Sequence, residues 1–446
     1  MRDRLLGWAA FLLLASACLC SLVEHDTPWY LAAGDLILRT HGLPLSDPFS
    51  FTSSIPWLNH EWLAEVLLAL CYRAGGFPSL VVLCALCVAI AIAILCKRRA
   101  LVGAAPIVWV LCAFVLRETS SPRASLFSNL LFAATLALVL DDDDEHGARL
   151  WWCVPLQLVW TQVHGGNPLG VVLLGLRCLT GPSAQRAAVT IACALATIVG
   201  PYGWHVHEHF LVAHGALPMI REWQPLPLGA FGAPWVFVAL AATAILASLR
   251  ARDARSRFAL AAVVLFAATG LRWARFSTEA CILSAAVLAP IVVERTQTWR
   301  WRALGVPAAV ALAIALSTSS ARQFGMGLAA DRFPVAAVAW LRANHPPGPM
   351  FNSYNFGGYL LWARPEERVF VDGRAFTVYQ PALLAEVPAV YADPRRFDAL
   401  TERYGLRLAV LQRHGRGATL NAWLANQPRW HLVYEDAQAQ IFVRAD

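Results

Sequence analysis

Residues 1–30 read MRDRLLGWAAFLLLASACLCSLVEHDTPWY. A basic start leads into an apolar run long enough to cross, as a helix, a bilayer core of about 30 Å. Glu24, His25 and Asp26 follow directly. Charge is scarce in this chain: 15% of its 446 residues are charged and 58% are hydrophobic, where a soluble domain sits at about 45–50% apolar. Comparable apolar runs recur to residue 318, so the chain reads as a polytopic α-helical membrane protein. The stretch LLLASAC loosely resembles a cleavage signal, but Ala15 stands where Leu is expected, and an uncleaved anchor is the better reading.

Spans are expected near 5–23, 77–96, 104–116, 124–140, 151–163, 168–180, 186–200, 234–249, 258–271, 276–293 and 302–318, about 11 in all. With the N-terminus cytoplasmic, the inside loops are MRDR, KRRA (97–100), DDDDEHGAR (141–149), GPSAQR (181–186), RARDARSR (250–257) and ERTQTWRWR (294–302). Most are rich in Lys and Arg, as the positive-inside rule requires. The acidic run reads as a solvated loop. Treating 61–74 as a further span would place KRR and RARDARSR outside, so that stretch is not counted. The runs 151–163 and 168–180 are short enough to be tilted or re-entrant.

The net charge of +7 follows from this topology and does not gather on one soluble face, which excludes a nucleic-acid binder. All 11 cysteines lie in or beside apolar segments, giving no disulfide framework. Cys84 and Cys87 form a C-x-x-C inside a span and read as core residues, since a single pair makes a weak zinc site. From 319 to 446 the pattern changes to a soluble α/β domain. There RVFVDGR, LRLAVLQR and QIFVRAD read as strands, 333–343, 380–391 and 395–403 as helices, and HPPGP and NFGG as turns. The expected architecture is 1–318 in the membrane, with a first exterior loop at 24–60, followed by 319–446 outside.

The polar clusters fall on one face. In the first exterior loop PWYLAAGDLILRTHGLP predicts an amphipathic interfacial helix capped by Thr27, with Pro28 in its first turn and Gly42 ending it. Tyr30, Leu31, Gly34, Ile37 and Leu38 line one side, while Asp35, Arg39 and Thr40 face away. The loop returns to the membrane at LNHEWLAEVLL, where Glu61 also suits the first turn of a helix. HEWLAE lacks the second histidine of a zinc protease motif, because position 64 is Ala64.

A first span ending in an acidic motif, a long exterior loop with a helix, and a second motif opening the next span resemble the GT-C-type glycosyltransferases. That class includes oligosaccharyltransferases, protein O-mannosyltransferases and lipid A aminoarabinose transferases. EHDTPWYLAAGDLI is similar to the stretch opening the first exterior loop of oligosaccharyltransferase catalytic subunits. The set DxxWYLxxG, SDPFSF, WLNHEWLAE, HGG, PYGW, EWQP and GGYL with VDGR also resembles a group of bacterial membrane proteins of this layout. No clear D-x-D or W-W-D-x-G motif is present, which argues against oligosaccharyl transfer to asparagine.

The resemblance implies a glycosyltransferase of the bacterial inner membrane. It would take a sugar from a polyprenyl-phosphate-linked donor to a lipid, glycan or protein acceptor on the periplasmic face, with inversion. Asp26 would be the catalytic base or a metal ligand, with Glu61 as a second candidate ligand for a divalent ion and His60 in support. An assembly or transport component for envelope polysaccharide, with the chemistry lost, is the alternative. A transporter is disfavoured because the spans carry no midplane polar site.

Such a transfer needs a carboxylate to take the acceptor proton and cations to offset charge on the departing phosphate. Asp26 or Glu24 can do the first. Arg117, Arg123, Arg272 and Arg275, at the outer ends of spans, can do the second, although snorkelling would also place them there. His164 beside Gly165 and Gly166, Tyr202 in PYGW, and the set Glu222, Trp223 and Gln224 are candidates for binding substrate. Trp223 equally suits a membrane anchor. In HVHEH, His205 and His209 share a helical face and form a candidate metal pair without a third ligand.

Overall fold

The computed structural model describes residues 15–16, 18–96, 103–142, 147–213, 221–229, 232–249, 253–296, 299–319 and 322–445. Compactness groups the chain into two units: Met1–Ser21 with Pro78–Met326, and Leu22–Phe77 with Gly327–Asp446. The linear boundary expected at 318/319 does not capture this grouping, because the first loop joins the C-terminal region.

The first unit is a helical bundle. Each expected span from 77–96 onward falls on a helix: Trp62–Leu95 in its second part, Ala105–Thr119, Ala124–Leu140, Cys153–Val163, Pro168–Thr180, Ala184–Ala196, Ala233–Ser248, Ala254–Arg272, Ser277–Arg295 and Trp299–Ser319. Among the described residues three helices are long and apolar enough to cross a membrane, Trp62–Leu95, Ala254–Arg272 and Ala274–Arg295. The expected span 5–23 lies mostly outside the described residues, as do KRRA and residues 143–146. Small residues let the helices approach closely. A Cβ on Gly270 would come within 3.1 Å of both Phe237 Cζ and Ser277 Cα. Phe132, Trp160, Phe237, Phe258 and Phe266 fill the core, and Trp160 Nε1 donates to Ser128 Oγ at 2.7 Å, satisfying its one polar atom. Cys84 and Cys87 pack on Leu126, and none of the 11 cysteines is in a disulfide.

One expectation fails in this unit. Asp142, read as part of a solvated loop, is buried and pairs with Arg177 at 3.2 Å and Arg186 at 2.6 Å. A buried carboxylate needs such partners.

In the second unit a four-stranded sheet has the order β1-β2-β4-β3, with β1 Met350–Asn352, β2 Leu408–Gln412, β3 Trp430–Glu435 and β4 Ala439–Arg444. β1 runs parallel to β2, while β4 is antiparallel to both of its neighbours. LRLAVLQR and QIFVRAD supply β2 and β4 as expected, but RVFVDGR forms no strand. Its Val369 makes a single bridge to Ser50, and Ser50 Oγ also donates to the Val369 carbonyl at 3.0 Å. NFGG is not a turn either; it lies inside the Tyr354–Ala363 helix. There the two glycines admit neighbouring backbone, since a Cβ on Gly357 would lie 2.8 Å from Asp372 Cα and one on Gly358 would lie 2.6 Å from the His25 carbonyl oxygen.

The first-loop helix runs Thr27–Thr40 and packs on the Tyr354–Ala363 helix. Its first two turns are buried all round, a wider face than the amphipathic stripe expected. It ends one residue earlier than the Gly42 signal suggests, with His41 taking the left-handed position. The stretch 61–74 is helical and opens the Trp62–Leu95 helix, whose backbone breaks at Gly75 and Gly76. The division between the units falls just beyond that break, so the excluded apolar stretch belongs to the second unit.

Candidate functional site

Two polar clusters stand out, one in each unit. In the second unit the Thr27–Thr40 helix sets the first. Asp26 occupies the N-cap position with no side-chain capping hydrogen bond, and Thr27 Oγ1 is buried without a partner. The expected Thr27 cap is therefore not made, and Asp26 does not replace it. The Asp26 carboxylate turns instead toward the V-D-G-R segment, where a Cβ on Gly373 would overlap Asp26 Oδ1 and lie 2.9 Å from Asp26 Cγ. Trp29 Nε1 would be 3.3 Å from that same point. Burial pushes the His25 imidazole below its usual value against the opposing influence of Glu24.

Glu61 lies at the head of the Trp62–Leu95 helix. Tyr30 Oη donates to its Oε2 at 2.6 Å, and His60 Nε2 lies 3.7 Å from its Oε1. Tyr30 is stacked on Trp29 with ring centroids 3.8 Å apart. One turn on, Glu65 is fully buried and accepts from Asn59 Nδ2 at 2.6 Å. The expected trio of Asp26, His60 and Glu61 thus falls in one unit, with Tyr30 tying Glu61 to the helix that Asp26 begins.

Beside it is a charged network of Asp47, Asp372 and Arg374, none of which residue type alone had singled out. Arg374 is buried between two carboxylates. It donates to Asp372 through Nε at 2.8 Å and Nη2 at 2.6 Å, and to Asp47 through Nη1 and, at 3.1 Å, Nη2. Tyr379 Oη donates to Asp372 Oδ2 at 2.6 Å, and the Arg374 guanidinium lies 5.2 Å from the Phe49 ring and 5.0 Å from the Trp57 ring. Burial alone would raise the Asp372 carboxyl, but Arg374 outweighs it and holds the group below the usual carboxylate range. Burial would likewise lower Arg374, yet Asp372 and Asp47 keep it firmly charged. The signal was present in SDPFSF and VDGR, which each offer one acid to a single arginine.

In the first unit the second cluster centres on Arg275, in the short turn between the Ala254–Arg272 and Ser277–Arg295 helices. It pairs with Glu222 through Nη1, and its Nη2 lies 2.8 Å from His164 Nε2. Arg123 Nη2 donates to the other Glu222 oxygen at 3.1 Å. Trp223 covers the Arg275 guanidinium at 5.4 Å and meets Phe276 edge-on at 5.7 Å. The Gly166 N–H donates to His164 Nδ1 at 3.1 Å, which fixes the ring. Burial would raise the Glu222 carboxyl, but Arg275 and Arg123 hold it down to about 2. Both guanidinium groups thus converge on one carboxylate. Glu279, one turn beyond Arg275, is buried and was not singled out from the sequence.

The remaining candidates make contacts of their own. Arg117 is buried and donates to Cys20 Sγ at 3.0 Å and the Arg322 carbonyl at 2.8 Å, which makes it a brace at the end of its helix. Arg272 stacks on Trp273 at 5.4 Å. The Gln224 carbonyl accepts from Ala274 N at 2.9 Å, tying its segment to the Arg275 turn by backbone. Tyr202 sits in the turn before the His205–Ala213 helix, and Glu24 is half-buried beside His25. His205 Nδ1 pairs with Glu208 Oε2 at 2.7 Å, while His207 turns to Thr197 Oγ1 at 3.2 Å; the His209 side chain lies outside the described residues. Among the described residues no three His, Cys, Asp or Glu side chains gather as metal ligands.

This fold is that of the GT-C membrane glycosyltransferases. No family model matches the chain, and no curated protein matches it in sequence. Solved structures do match. The archaeal oligosaccharyltransferase AglB from Archaeoglobus fulgidus, in complex with an inhibitory peptide and a dolichol-phosphate, is similar at TM-score 0.60 and 12% identity, over 91% of this chain and 69% of that one. ArnT from Cupriavidus metallidurans bound to undecaprenyl phosphate gives 0.53 and 14%, over 98% and 97%. The arabinofuranosyltransferase AftD from Mycobacteria gives 0.59 and 13%, over 99% of this chain and 40% of that one. At such identities the fold is what is shared.

Proposed function

We propose that this chain is an inverting membrane glycosyltransferase that takes a sugar from a polyprenyl-phosphate-linked donor to an envelope acceptor on the periplasmic face of a bacterial inner membrane. The observation that carries the reading is Asp26: a carboxylate at the N-cap of the Thr27–Thr40 helix that makes no side-chain capping bond and is turned to a glycine. An acceptor hydroxyl attacks the anomeric carbon as the bond from that carbon to the phosphate oxygen breaks. Asp26 takes the hydroxyl proton, and the polyprenyl phosphate leaves with the bonding electrons. Arg275 and Arg123, read as phosphate-binding cations, lie in the first unit, where they converge on Glu222. His164 lies beside Arg275. Glu222 and Trp223, expected to contact the sugar, are engaged in holding the same arginine.

A closed transition-metal centre does not fit Asp26 and Glu61, since no third ligand joins them among the described residues and Tyr30 already engages Glu61. They fit the kind of site in which one or two carboxylates share a hard divalent ion with substrate phosphates. Bound there, the ion would offset phosphate charge.

The test is Asp26→Asn, expressed at the wild-type level in a strain deleted for this gene, with envelope glycans and lipid-linked intermediates measured. The proposal expects product loss and accumulation of the lipid-linked donor. Wild-type glycans from Asp26→Asn, alongside a defect in the deletion strain, would favour the assembly or transport role instead.

A further inference from the structure

We infer that Gly373 is a positioning residue for Asp26, fixed in place by Arg374 between Asp372 and Asp47. The inference rests on the catalytic reading of Asp26 above. Three observations in the second unit converge on it. The Gly373 α-carbon lies so close to the Asp26 carboxylate that a methyl group there would overlap Oδ1. The residues on either side of Gly373 are fully or nearly fully buried and are joined to each other by two side-chain hydrogen bonds. Asp47, from the first loop, grips the same arginine, so the turn is anchored to the segment that also carries Asp26.

A carboxylate at a helix start would ordinarily be oriented by its capping bonds. Asp26 makes none of these, and its carboxylate packs against the Gly373 turn. Gly373 supplies one wall. Any side chain there would push the carboxylate aside, so the position requires glycine for space and not for backbone conformation. The Asp47–Arg374–Asp372 arrangement prevents the wall from yielding, because moving it would separate buried charges.

The experiment uses full-length protein in membranes of the deletion strain, supplied with a lipid extract of the parent strain containing its own polyprenyl-phosphate sugars. Gly373→Ala is compared with Gly175→Ala, where a Cβ meets nothing within 4 Å. At saturating extract, product per folded molecule should fall by about a hundredfold for Gly373→Ala, as for a displacement of roughly 1 Å at a reacting group, with the half-saturating amount of extract unchanged. Gly175→Ala should match wild type. A second arm needs no activity: thermal midpoints of Gly373→Ala, Asp26→Ala and the double variant form a cycle. The added methyl should lower the midpoint in the wild-type background and not once Asp26→Ala has cleared its space; if Gly373→Ala alone fails to fold, the double variant should recover folding. Additive midpoints, an unrecovered double variant, or wild-type product from Gly373→Ala would each overturn the inference. Wild-type product from Asp26→Asn would instead overturn the reading beneath it.

Discussion

Arg275 and Glu222 lie 53 positions apart in sequence and form one ion pair, with Arg123 closing the other side of the same carboxylate. The folded protein holds Glu222 at about 2 against an ordinary 4.5. A depressed carboxylate contributes stability that is fully present above its unfolded value and is lost as pH falls through the folded one. The contribution of this pair should therefore fade between about 4.5 and 2. Thermal midpoints of wild type and Glu222→Gln measured across that window should converge toward its acid end. Curves that stay parallel would mean that the pair is not formed.

Arg374 pairs with two buried carboxylates, so Arg374→Met should destabilise by about 3–5 kcal/mol, the usual result of leaving buried charge unpaired. Arg374→Lys should recover only part of this, because a point charge cannot serve Asp372 and Asp47 through a planar fork. Folded yield in detergent and unfolding midpoints would measure both. Equal midpoints for the Met and Lys variants would count against the fork geometry.

Gly34 faces the head of the Trp62–Leu95 helix, where a Cβ would overlap the Glu65 carbonyl oxygen and lie 2.8 Å from Ala69 Cβ. Gly34→Ala should lower stability by about 1–3 kcal/mol through overpacking, despite the better helix propensity of alanine. A midpoint at or above wild type would show that the two helices can separate at no cost.

Tyr30 is buried and donates to Glu61. Tyr30→Phe keeps the ring stacked on Trp29 and removes one bond to a charged group, a loss of about 1.5–3 kcal/mol. The loss should disappear in a Glu61→Gln background only if that bond is the source. A double-mutant cycle on unfolding midpoints gives the answer.

Apolar periodicity made the bundle legible: every expected span from 77–96 onward falls on a helix, because burial in helices leaves long runs in the sequence. The C-terminal region was less readable. RVFVDGR alternates like a strand, but its Asp372 and Arg374 are claimed by Asp47 and by each other, and side-chain charge pairing overrides the pattern. NFGG carries turn residues, yet its glycines serve helix packing. For the candidate site, residue type singled out Asp26, Glu61, His164, Arg123, Glu222 and Arg275. Their partners were not visible, since Arg275 finds His164 from 111 positions away. The partners of Arg117, Cys20 and the Arg322 carbonyl, were hidden for the same reason.

The grouping of Leu22–Phe77 with Gly327–Asp446 has a consequence for the order of events during synthesis. The first half of that unit leaves the ribosome roughly 250 residues before the second, on the order of ten to fifty seconds at ordinary elongation rates. Through that interval Asp47 has no Arg374 to neutralise it and the Thr27–Thr40 helix has no Tyr354–Ala363 helix to cover it. The stretch carrying Asp26 must therefore wait, incomplete, while residues 78–326 are made, and a nascent chain stalled before residue 327 would hold Asp26 without the Gly373 turn that packs against it.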